Sequence, residues 1–335
     1  MDAVFDCQFQ FCGLLMHAIL FDQPGDESVL YLGKTEPMPL ADHDIRISVS
    51  ATAVNRADLL QRQGLYPPPS GASPILGLEC AGMVMEAGHA VEGWARGDRA
   101  MALLAGGGYA DEVVVHSGSA MHVPAGLSDE EAAAIPETFL TAYLNIFELA
   151  RAREGESILI HGGGSGVGTS AITLCKLAEM RVIVTAGSDE KCRRCLDHGA
   201  DVAINYNSED FAEKATNIDI ILDHIGALYL PRDLQVLNVG GRVAIIGSMG
   251  GERLATIDVG RLLSRRQQII GSTLRARPVE EKAALVSSFV RRFGADLHAG
   301  RIRPVIDAVL PLSDAGEAHR RMKADHFGKI VLKVR

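Results

Sequence analysis

The sequence predicts an α/β protein that combines a doubly wound parallel sheet with a β-barrel-like unit. Three observations lead to this prediction. Before residue 135 the chain has short β-like segments separated by Gly and Pro turns, which is typical of a barrel. From residue 157 onward, apolar strands alternate with stretches of helix length, which is the pattern of a doubly wound sheet. The chain has 335 residues, more than one core usually supports, so two domains are expected.

The parallel sheet is predicted from six short apolar runs that have helical patterns between them. The predicted strands are 157–161, 181–186, 202–205, 218–223, 242–247 and 269–271, and the helices include 167–179, 189–198 and 228–239. Because parallel strands need crossover connections, a helix between successive strands is expected. These elements assign residues 140–276 to one domain.

The rest of the chain is assigned to the barrel-like domain. Its predicted strands are 17–21, 44–53, 82–87, 99–102, 109–115, 305–310 and 329–334. The last two cannot sensibly extend the parallel sheet, so we expect them to return to the first domain, which then comprises residues 16–139 and 277–335. Residues 1–15 lack the basic start and cleavage site of a signal peptide. Because the first strand-like run opens after them, at Met16, they are expected to be a peripheral extension.

Charge and cysteine content limit the classes of partner. The formal net charge of −9 gives no electrostatic footprint for nucleic acid or an anionic membrane, and no apolar run approaches the roughly 20 residues of a membrane helix. Six scattered cysteines suit a reducing compartment, so a cytoplasmic location is expected. Cys192, Cys195 and His198 lie on one face of a predicted helix, which explains their spacing without a metal. The expected partner is a small molecule.

A glycine-rich turn follows the first strand of the predicted parallel sheet and leads into a helix. Glycine permits a tight turn, a close approach of backbone to a pyrophosphate, and close packing of helix on strand, while the helix N-terminus favours phosphate. This strand–turn–helix context predicts a dinucleotide site. The residues expected to bind the cofactor here are Gly163, Gly164, Ser165, Gly166, Val167 and Gly168.

The end of the second strand favours NADPH over NADH. A carboxylate that would hold the ribose 2′-hydroxyl of NAD is expected there, and Ala186 stands in its place. Ser188 and Lys191 follow, and their hydroxyl and ammonium suit a 2′-phosphate. Asp189 and Glu190 leave an alternative open, since either side chain could turn toward the ribose, although acidic residues also favour the first turn of a helix.

Several motifs together resemble the zeta-crystallin-like quinone oxidoreductases of the medium-chain dehydrogenase/reductase superfamily, and the stress-inducible members most closely. They lie at residues 55–66, 76–79, 101–109, 135–137, 140–143, 165–169, 186–188, 205–206 and 328–332. The resemblance runs from about residue 16 to residue 335 and implies a GroES-like catalytic domain, a Rossmann domain, an active site in the cleft between them, and a homodimer joined through the nucleotide-binding sheets.

The same resemblance implies that zinc is absent. Alcohol dehydrogenases of the superfamily have a zinc-binding Cys where this chain has Asn55, and a zinc-binding His where it has Leu78. Leucine cannot bind a metal, and an amide is a poor zinc ligand. Without a Lewis acid to stabilise an alkoxide, the expected substrate is an acceptor that delocalises charge by itself, such as a quinone or a conjugated carbonyl.

The expected catalytic residues are Asn55 and Tyr66. Asn55 would bond the substrate or the nicotinamide ribose, or it would simply stabilise a turn. Tyr66 would donate a hydrogen bond or a proton to the acceptor, or it would pack as a loop aromatic. Lys329 is either a ligand contact or an exposed strand lysine. The resemblance implies cofactor contacts from Thr141 and Tyr206, and the end of a late strand adds Gly247, Ser248 and Met249.

The sequence thus predicts a metal-independent NADPH:quinone reductase that transfers hydride in an interdomain cleft. Two alternatives remain open: a reductase of α,β-unsaturated aldehydes or ketones, and an NADPH-binding protein without catalytic activity.

Overall fold

The computed structural model describes residues 15–335, so residues 1–14 of the predicted extension lie outside the described residues. The strands are β1 (Met16–Leu20), β2 (Tyr31–Thr35), β3 (Asp44–Ala53), β4 (Glu79–Ala87), β5 (Arg99–Leu103), β6 (Glu112–His116), β7 (Ala120–His122), β8 (Ser157–Ile160), β9 (Arg181–Ala186), β10 (Val202–Asn205), β11 (Ile218–Asp223), β12 (Leu237–Ile245), β13 (Gln268–Gly271), β14 (Ile306–Pro311) and β15 (Lys329–Lys333). The α-helices are α1 (Arg56–Arg62), α2 (Asp129–Ala132), α3 (Pro136–Tyr143), α4 (Gly166–Leu177), α5 (Asp189–Asp197), α6 (Phe211–Lys214), α7 (Leu230–Val236), α8 (Val259–Ser264), α9 (Val279–His298) and α10 (Ala315–Lys323).

Six parallel strands form one sheet in the order β10-β9-β8-β11-β12-β13. This is the classical strand order of a doubly wound dinucleotide-binding sheet, so the predicted fold class is confirmed. All four residues of β8 are buried, as expected for a central parallel strand that is covered on both faces. The carboxyl ends of β8, β9, β11 and β12 therefore meet along one edge.

One stretch of this sheet differs from the prediction. The helix predicted at 228–239 ends at Val236, and β12 begins at Leu237, well before the predicted strand start at residue 242. Leu237 is fully buried and pairs with Ile218, after which the register shifts so that Arg242 pairs with Ile220. Tertiary pairing across this irregularity overrides the local helical pattern.

The other large sheet contains seven strands, in the order β14-β15-β3-β4-β5-β7, with β6 also paired to β3. β3 alternates part-buried and buried residues over most of its length, because one face lies on the core. β15 pairs antiparallel with β3, so the C-terminal strands return to the first half of the chain as predicted. β1 and β2 form a separate hairpin-like sheet.

Helix α3 connects the two sheets and continues into a π-helical segment, Leu144–Leu149. Tyr143 and Phe147 on this continuous helix pack against Phe289 and Phe293 of α9, with ring centroids 5.4–5.9 Å apart. The contact fixes α3 against the C-terminal part of the chain. None of the described helices combines the length and apolar composition needed to cross a bilayer.

Candidate active site

The glycine turn lies against the start of β15, so the two sheets contribute to one site. The backbone N–H of Gly328 donates to the carbonyl oxygen of Gly164 at 2.8 Å. A Cβ atom on Gly166 would lie 2.6 Å from Cδ of Lys329. A side chain at position 166 would therefore displace Lys329, whose side chain runs directly beside the predicted dinucleotide site.

Lys329 is the centre of a buried polar network. Its ammonium donates to the carbonyl oxygen of Val54 at 2.9 Å, to Oδ1 of Asn55 at 2.6 Å and to Oε1 of Glu79 at 2.7 Å. Three acceptors satisfy the three ammonium protons. Lys329 is 2% exposed and Glu79 is 0% exposed, so this is an ion pair inside the protein. The interpretation of Lys329 as an exposed strand lysine is wrong.

Asn55 belongs to the same network. Its Nδ2 donates to Oε1 of Glu79 at 2.9 Å and to the carbonyl oxygen of Ala53 at 3.3 Å, while Oδ1 faces the Lys329 ammonium. The structure thus brings the amide to the predicted cleft, where it bonds a cation and a carboxylate. Its side-chain polar atoms already have protein partners, so Asn55 orients the network around it.

Asp58 fixes the two loops that carry Asn55 and Glu79. Its carboxylate accepts the backbone N–H of Asn55 at 2.7 Å and that of Gly77 at 2.9 Å. Gly77 has a φ of +102°, and a Cβ there would lie 2.6 Å from Cα of Gly108, so this turn requires glycine. Burial raises the pKa of Asp58 to about 6, while the two backbone N–H groups act in the opposite direction.

Tyr66 lies at the edge of the same site. Its ring packs beside the guanidinium of Arg275, 5.4 Å from ring centroid to Cζ, and its carbonyl oxygen accepts from Arg275 Nη1 at 3.3 Å. Among the described residues no hydrogen-bond partner is found for the Tyr66 hydroxyl, which is therefore available to a ligand. Burial raises the pKa of this phenol above its usual value of 10.0.

Sequence reasoning missed Arg275, Glu79 and Glu137 as site residues. Arg275 is 3% exposed and bonds the side chain of Gln61 and the carbonyl oxygen of Ala105, which fastens the end of the parallel sheet to the other sheet. The Glu137 backbone N–H donates to Oε2 of Glu79 at 2.9 Å. The available signal was the position of Glu79 and Glu137 among apolar neighbours, which predicts a buried, partnered charge.

The glycine turn has the geometry of a phosphate-binding loop. Gly162 has a φ of +65°, and Ser165 caps α4 by accepting the Gly168 N–H on its Oγ at 3.0 Å. A Cβ on Gly168 would lie 2.3 Å from the Gly162 carbonyl oxygen, so helix and strand need glycine to pack. Within residues 15–335 no acceptor is found for the backbone N–H groups of Gly164, Gly166 and Val167. These free donors at a helix N-terminus fit a pyrophosphate.

The carboxyl end of β9 carries the residues predicted to select NADPH. Ala186 is buried, and Ser188 caps α5 by accepting the Lys191 N–H at 3.2 Å. The Lys191 ammonium forms an ion pair with Asp325. Asp189 accepts a hydrogen bond from Nδ2 of Asn205 at 2.6 Å. One of the two acidic residues that left the NADH alternative open is therefore already bonded within the protein.

Two further predicted cofactor residues lie at different elements, Tyr206 directly after β10 and Thr141 on α3. The Tyr206 hydroxyl lies over the backbone at Gly187, where a Cβ would come within 2.6 Å of it, and the side chain is 47% exposed. Thr141 is on α3, four residues after Glu137, so the two side chains share a helix face.

The loop after β12 contains the last predicted cofactor residues. β12 ends at Ile245, so Gly247, Ser248 and Met249 lie beyond the strand, not at its end as predicted. The Met249 N–H donates to the His224 carbonyl oxygen at 2.9 Å, which holds this loop against the one after β11. The loop stands at the carboxyl edge of the sheet, where ligands bind in this fold class.

A second buried cluster lies beneath this edge and serves a structural purpose. His161 bonds Asp233 through Nε2 at 2.9 Å and Thr185 through Nδ1 at 3.1 Å. Asp223 accepts the backbone N–H groups of Ile225 and Gly226. This pairing is not evident from the sequence, because His161 and Asp233 are 72 residues apart.

The structure combines a glycine turn of the dinucleotide-binding type on a parallel sheet with a buried polar network contributed by a second, mixed sheet. The comparisons with known proteins agree. The family model "Alcohol dehydrogenase GroES-like domain" matches residues 41–125, and "Zinc-binding dehydrogenase" matches residues 166–290. The GroES-like part of the predicted fold class is thereby confirmed.

Relatives and solved structures match over nearly the whole chain. The quinone oxidoreductase of Lama guanicoe is 30% identical over 331 residues, covering 96% of this chain and 98% of that protein. The Escherichia coli quinone oxidoreductase complexed with NADPH has a TM-score of 0.80 and 26% identity, covering 95% of this chain and 100% of that one. An NAD-dependent alcohol dehydrogenase has a TM-score of 0.83 and 32% identity, covering 96% and 100%. The chain belongs to the quinone oxidoreductase family of the medium-chain dehydrogenase/reductase superfamily and is an oxidoreductase that acts on NAD(P)H.

Proposed function

We propose that this protein is an NADPH-dependent, metal-independent reductase of quinones. The observation that carries the proposal is the Lys329–Asn55–Glu79 network beside the glycine turn. By the resemblance, Asn55 and Leu78 stand where zinc-dependent members of the superfamily have metal ligands. The groups offered there are an amide, a leucine and the neighbouring Glu79 carboxylate, which already pairs with the Lys329 ammonium. This donor set does not fit zinc, which prefers thiolate, imidazole and free carboxylate ligands.

The residues around the glycine turn fit a nicotinamide dinucleotide. The free N–H groups of Gly164, Gly166 and Val167 would hold the pyrophosphate. Ser188 and Lys191 would bind a 2′-phosphate, with Tyr206 beside the adenosine. This proposal of NADPH accords with the structure of the E. coli relative in complex with NADPH. When bound, the reduced nicotinamide supplies a hydride. Thr141 and the 247–249 loop would orient the ring.

The absence of a fitting metal site limits the acceptor. Lys329 uses its three protons within the network and would not polarise a substrate oxygen. An electron-poor acceptor, which spreads the developing charge by itself, is therefore favoured, and quinones and conjugated carbonyls both have this property. The names of the relatives favour the quinone. The Tyr66 phenol would donate a hydrogen bond to the acceptor oxygen, and Asn55 would maintain the geometry around it.

Steady-state kinetics test this assignment. Purified protein that has been treated with chelator should oxidise NADPH with ortho- or para-quinones faster than with a panel of alkenals and alkenones. Turnover of the conjugated aldehydes or ketones alone would instead establish the enal/enone reductase. Tight NADPH binding without turnover of any acceptor would establish a binding protein. Stoichiometric zinc in active enzyme would contradict the metal-independent mechanism.

We further propose a division into a catalytic domain (16–139 and 277–335) and a nucleotide-binding domain (140–276), and a cytoplasmic homodimer. β13 is an edge strand of the parallel sheet, and Val259 and Leu263 on the neighbouring α8 are 65% and 79% exposed. An unpaired edge beside exposed apolar side chains suits association with a second copy. Light scattering should give twice the mass of one chain, and the mass of a single chain would exclude the dimer. The buried thiols at 80, 175, 192 and 195 suit a reducing compartment.

A further inference from the structure

We propose that the Glu137 carboxyl donates the proton that completes reduction of the acceptor. The inference rests on the proposed function, because it assigns a residue to that reaction. Reducing a quinone to a hydroquinone takes one hydride and one proton. The proposed nicotinamide supplies the hydride and its electron pair. The O–H bond of Glu137 breaks as an O–H bond forms on the acceptor oxygen, and solvent then returns a proton to Glu137.

The backbone holds Glu137 in place at the start of α3. Pro136 occupies the first turn, and the Glu137 N–H donates to Oε2 of the buried Glu79 at 2.9 Å. The side chain lies on the same helix face as Thr141, the residue proposed to contact the nicotinamide. Glu137 is therefore tied to the Lys329 network through Glu79 and shares a helix face with a residue proposed to contact the nicotinamide.

The two carboxyl oxygens have different surroundings. Oε2 is enclosed and has no hydrogen-bond partner within the described part of the chain, whereas Oε1 is not enclosed. A carboxylate with one oxygen buried and unpartnered is poorly solvated, so the neutral acid is favoured. Oε1 provides the path by which the proton leaves toward the acceptor and returns from solvent.

Charged groups from several elements face this carboxyl. They are Glu79 on β4, Lys329 on β15, Asp58 on α1, Tyr66 in the loop after α1, Arg275 after β13 and Lys282 on α9. Burial, followed by the negative charge of Glu79, raises the pKa of Glu137 to about 8, and Lys329 and Arg275 oppose this shift. The group is then largely protonated at pH 7, and a pKa near the working pH is the best match for a proton donor.

Tyr66 is the competing donor and is less suited to the task. Burial raises the pKa of its phenol above 10.0, so it gives up a proton less readily than Glu137 does. The two residues therefore have separate roles, a hydrogen bond from Tyr66 and a proton from Glu137.

The test compares Glu137→Gln, which keeps the shape but removes the acid, with Glu137→Asp and with Glu280→Gln, a change at an exposed position on α9. In ligand-free protein, difference infrared spectra should show a protonated carboxyl that titrates near pH 8 in the wild type and is missing in Glu137→Gln. With a quinone, kcat of the wild type should fall above about pH 8. Glu137→Gln should lose about 100-fold in kcat with an unchanged Kd for NADPH.

The remaining variants make each outcome decisive. Glu137→Asp should keep the alkaline fall in kcat and recover part of the rate, and Glu280→Gln should behave as wild type. A wild type that reduces quinones beside a Glu137→Gln variant with unchanged kcat and pH profile would overturn the role of Glu137 and leave the proposed function intact. A wild type that reduces neither quinones nor conjugated carbonyls would overturn both. Absence of a titrating carboxyl in the infrared spectra would exclude Glu137 whatever the kinetics.

Discussion

Replacing Lys329 by methionine should reveal how much the buried ion pair contributes to stability. Methionine has a similar length and fits an apolar environment, so Lys329→Met removes the charge with little change in volume. The Glu79 carboxylate, which is 0% exposed, would then retain only the amide of Asn55 and the N–H of Glu137 as partners. Removing one partner of a buried pair costs about 3–5 kcal/mol, because the other charge stays buried without compensation.

A double-mutant cycle measured by urea unfolding isolates this interaction. Glu79→Gln alone should also destabilise the protein, since it leaves the ammonium buried, whereas the double variant should recover much of the loss because neither charge remains. Lys333→Met is the matched control on the same strand. Its ammonium is 3.2 Å from Glu130 and its side chain is 54% exposed, so a change below about 1 kcal/mol is expected. Equal effects of Lys329→Met and Lys333→Met would refute the reasoning.

Three further perturbations address individual residues. In fluorescence titrations, Lys191→Ala should raise the Kd for NADPH about 10-fold and leave the Kd for NADH unchanged, because a charge-assisted contact of about 1–2 kcal/mol is lost. Equal effects on the two Kd values would remove the case for 2′-phosphate recognition. Tyr66→Phe should lower kcat with quinones while NADPH binding is retained, and unchanged kinetics would reduce Tyr66 to a packing residue. Burial raises the pKa of Asp58 from 3.8 to about 6, so the native state binds this proton more tightly than the unfolded chain does. Protonated Asp58 therefore stabilises the native state fully below about pH 4, and this stabilisation is lost as the pH rises through 6. Asp58→Asn should remove this part, about 2–3 kcal/mol, of the decrease in the free energy of unfolding with pH, measured by urea unfolding. An unchanged dependence of the free energy of unfolding on pH would contradict the prediction.

The sequence predicted those features whose signals are local. Strand positions in the parallel sheet agree with the structure to within a residue or two, apart from β12, because short apolar runs between helices have few alternative uses. The glycine turn was recognisable because a strand precedes it and a helix follows it. The expectation that zinc is absent also rests on local residue types, at Asn55 and Leu78, and it stays a prediction.

The contacts of the site depended on chain segments that are distant in sequence. Lys329 and Glu79 are 250 residues apart, and nothing near Lys329 distinguishes a buried strand lysine from an exposed one. Arg275 reaches Gln61 across 214 residues for the same reason. The early start of β12 also reflects a partner strand, since Leu237 is fixed by pairing with Ile218. Local sequence patterns therefore predict the helices and strands, whereas the side-chain contacts and strand pairs between distant segments are determined only when the sheets assemble.

The Lys329 network also determines where the remaining catalytic groups must lie. A metal in this position would retain an open coordination site for the substrate oxygen, whereas the ammonium donates all three of its protons to protein acceptors. The lysine can therefore compensate the charge of Glu79 and hold Asn55, but it has no proton left for an acceptor. Stabilisation of the reduced oxygen must then come from groups at the edge of the network that are still free. In the described part of the chain no hydrogen-bond partner is found for the Tyr66 hydroxyl or for the side-chain oxygens of Glu137, and both groups interact electrostatically with Arg275, so these are the two donors that we propose.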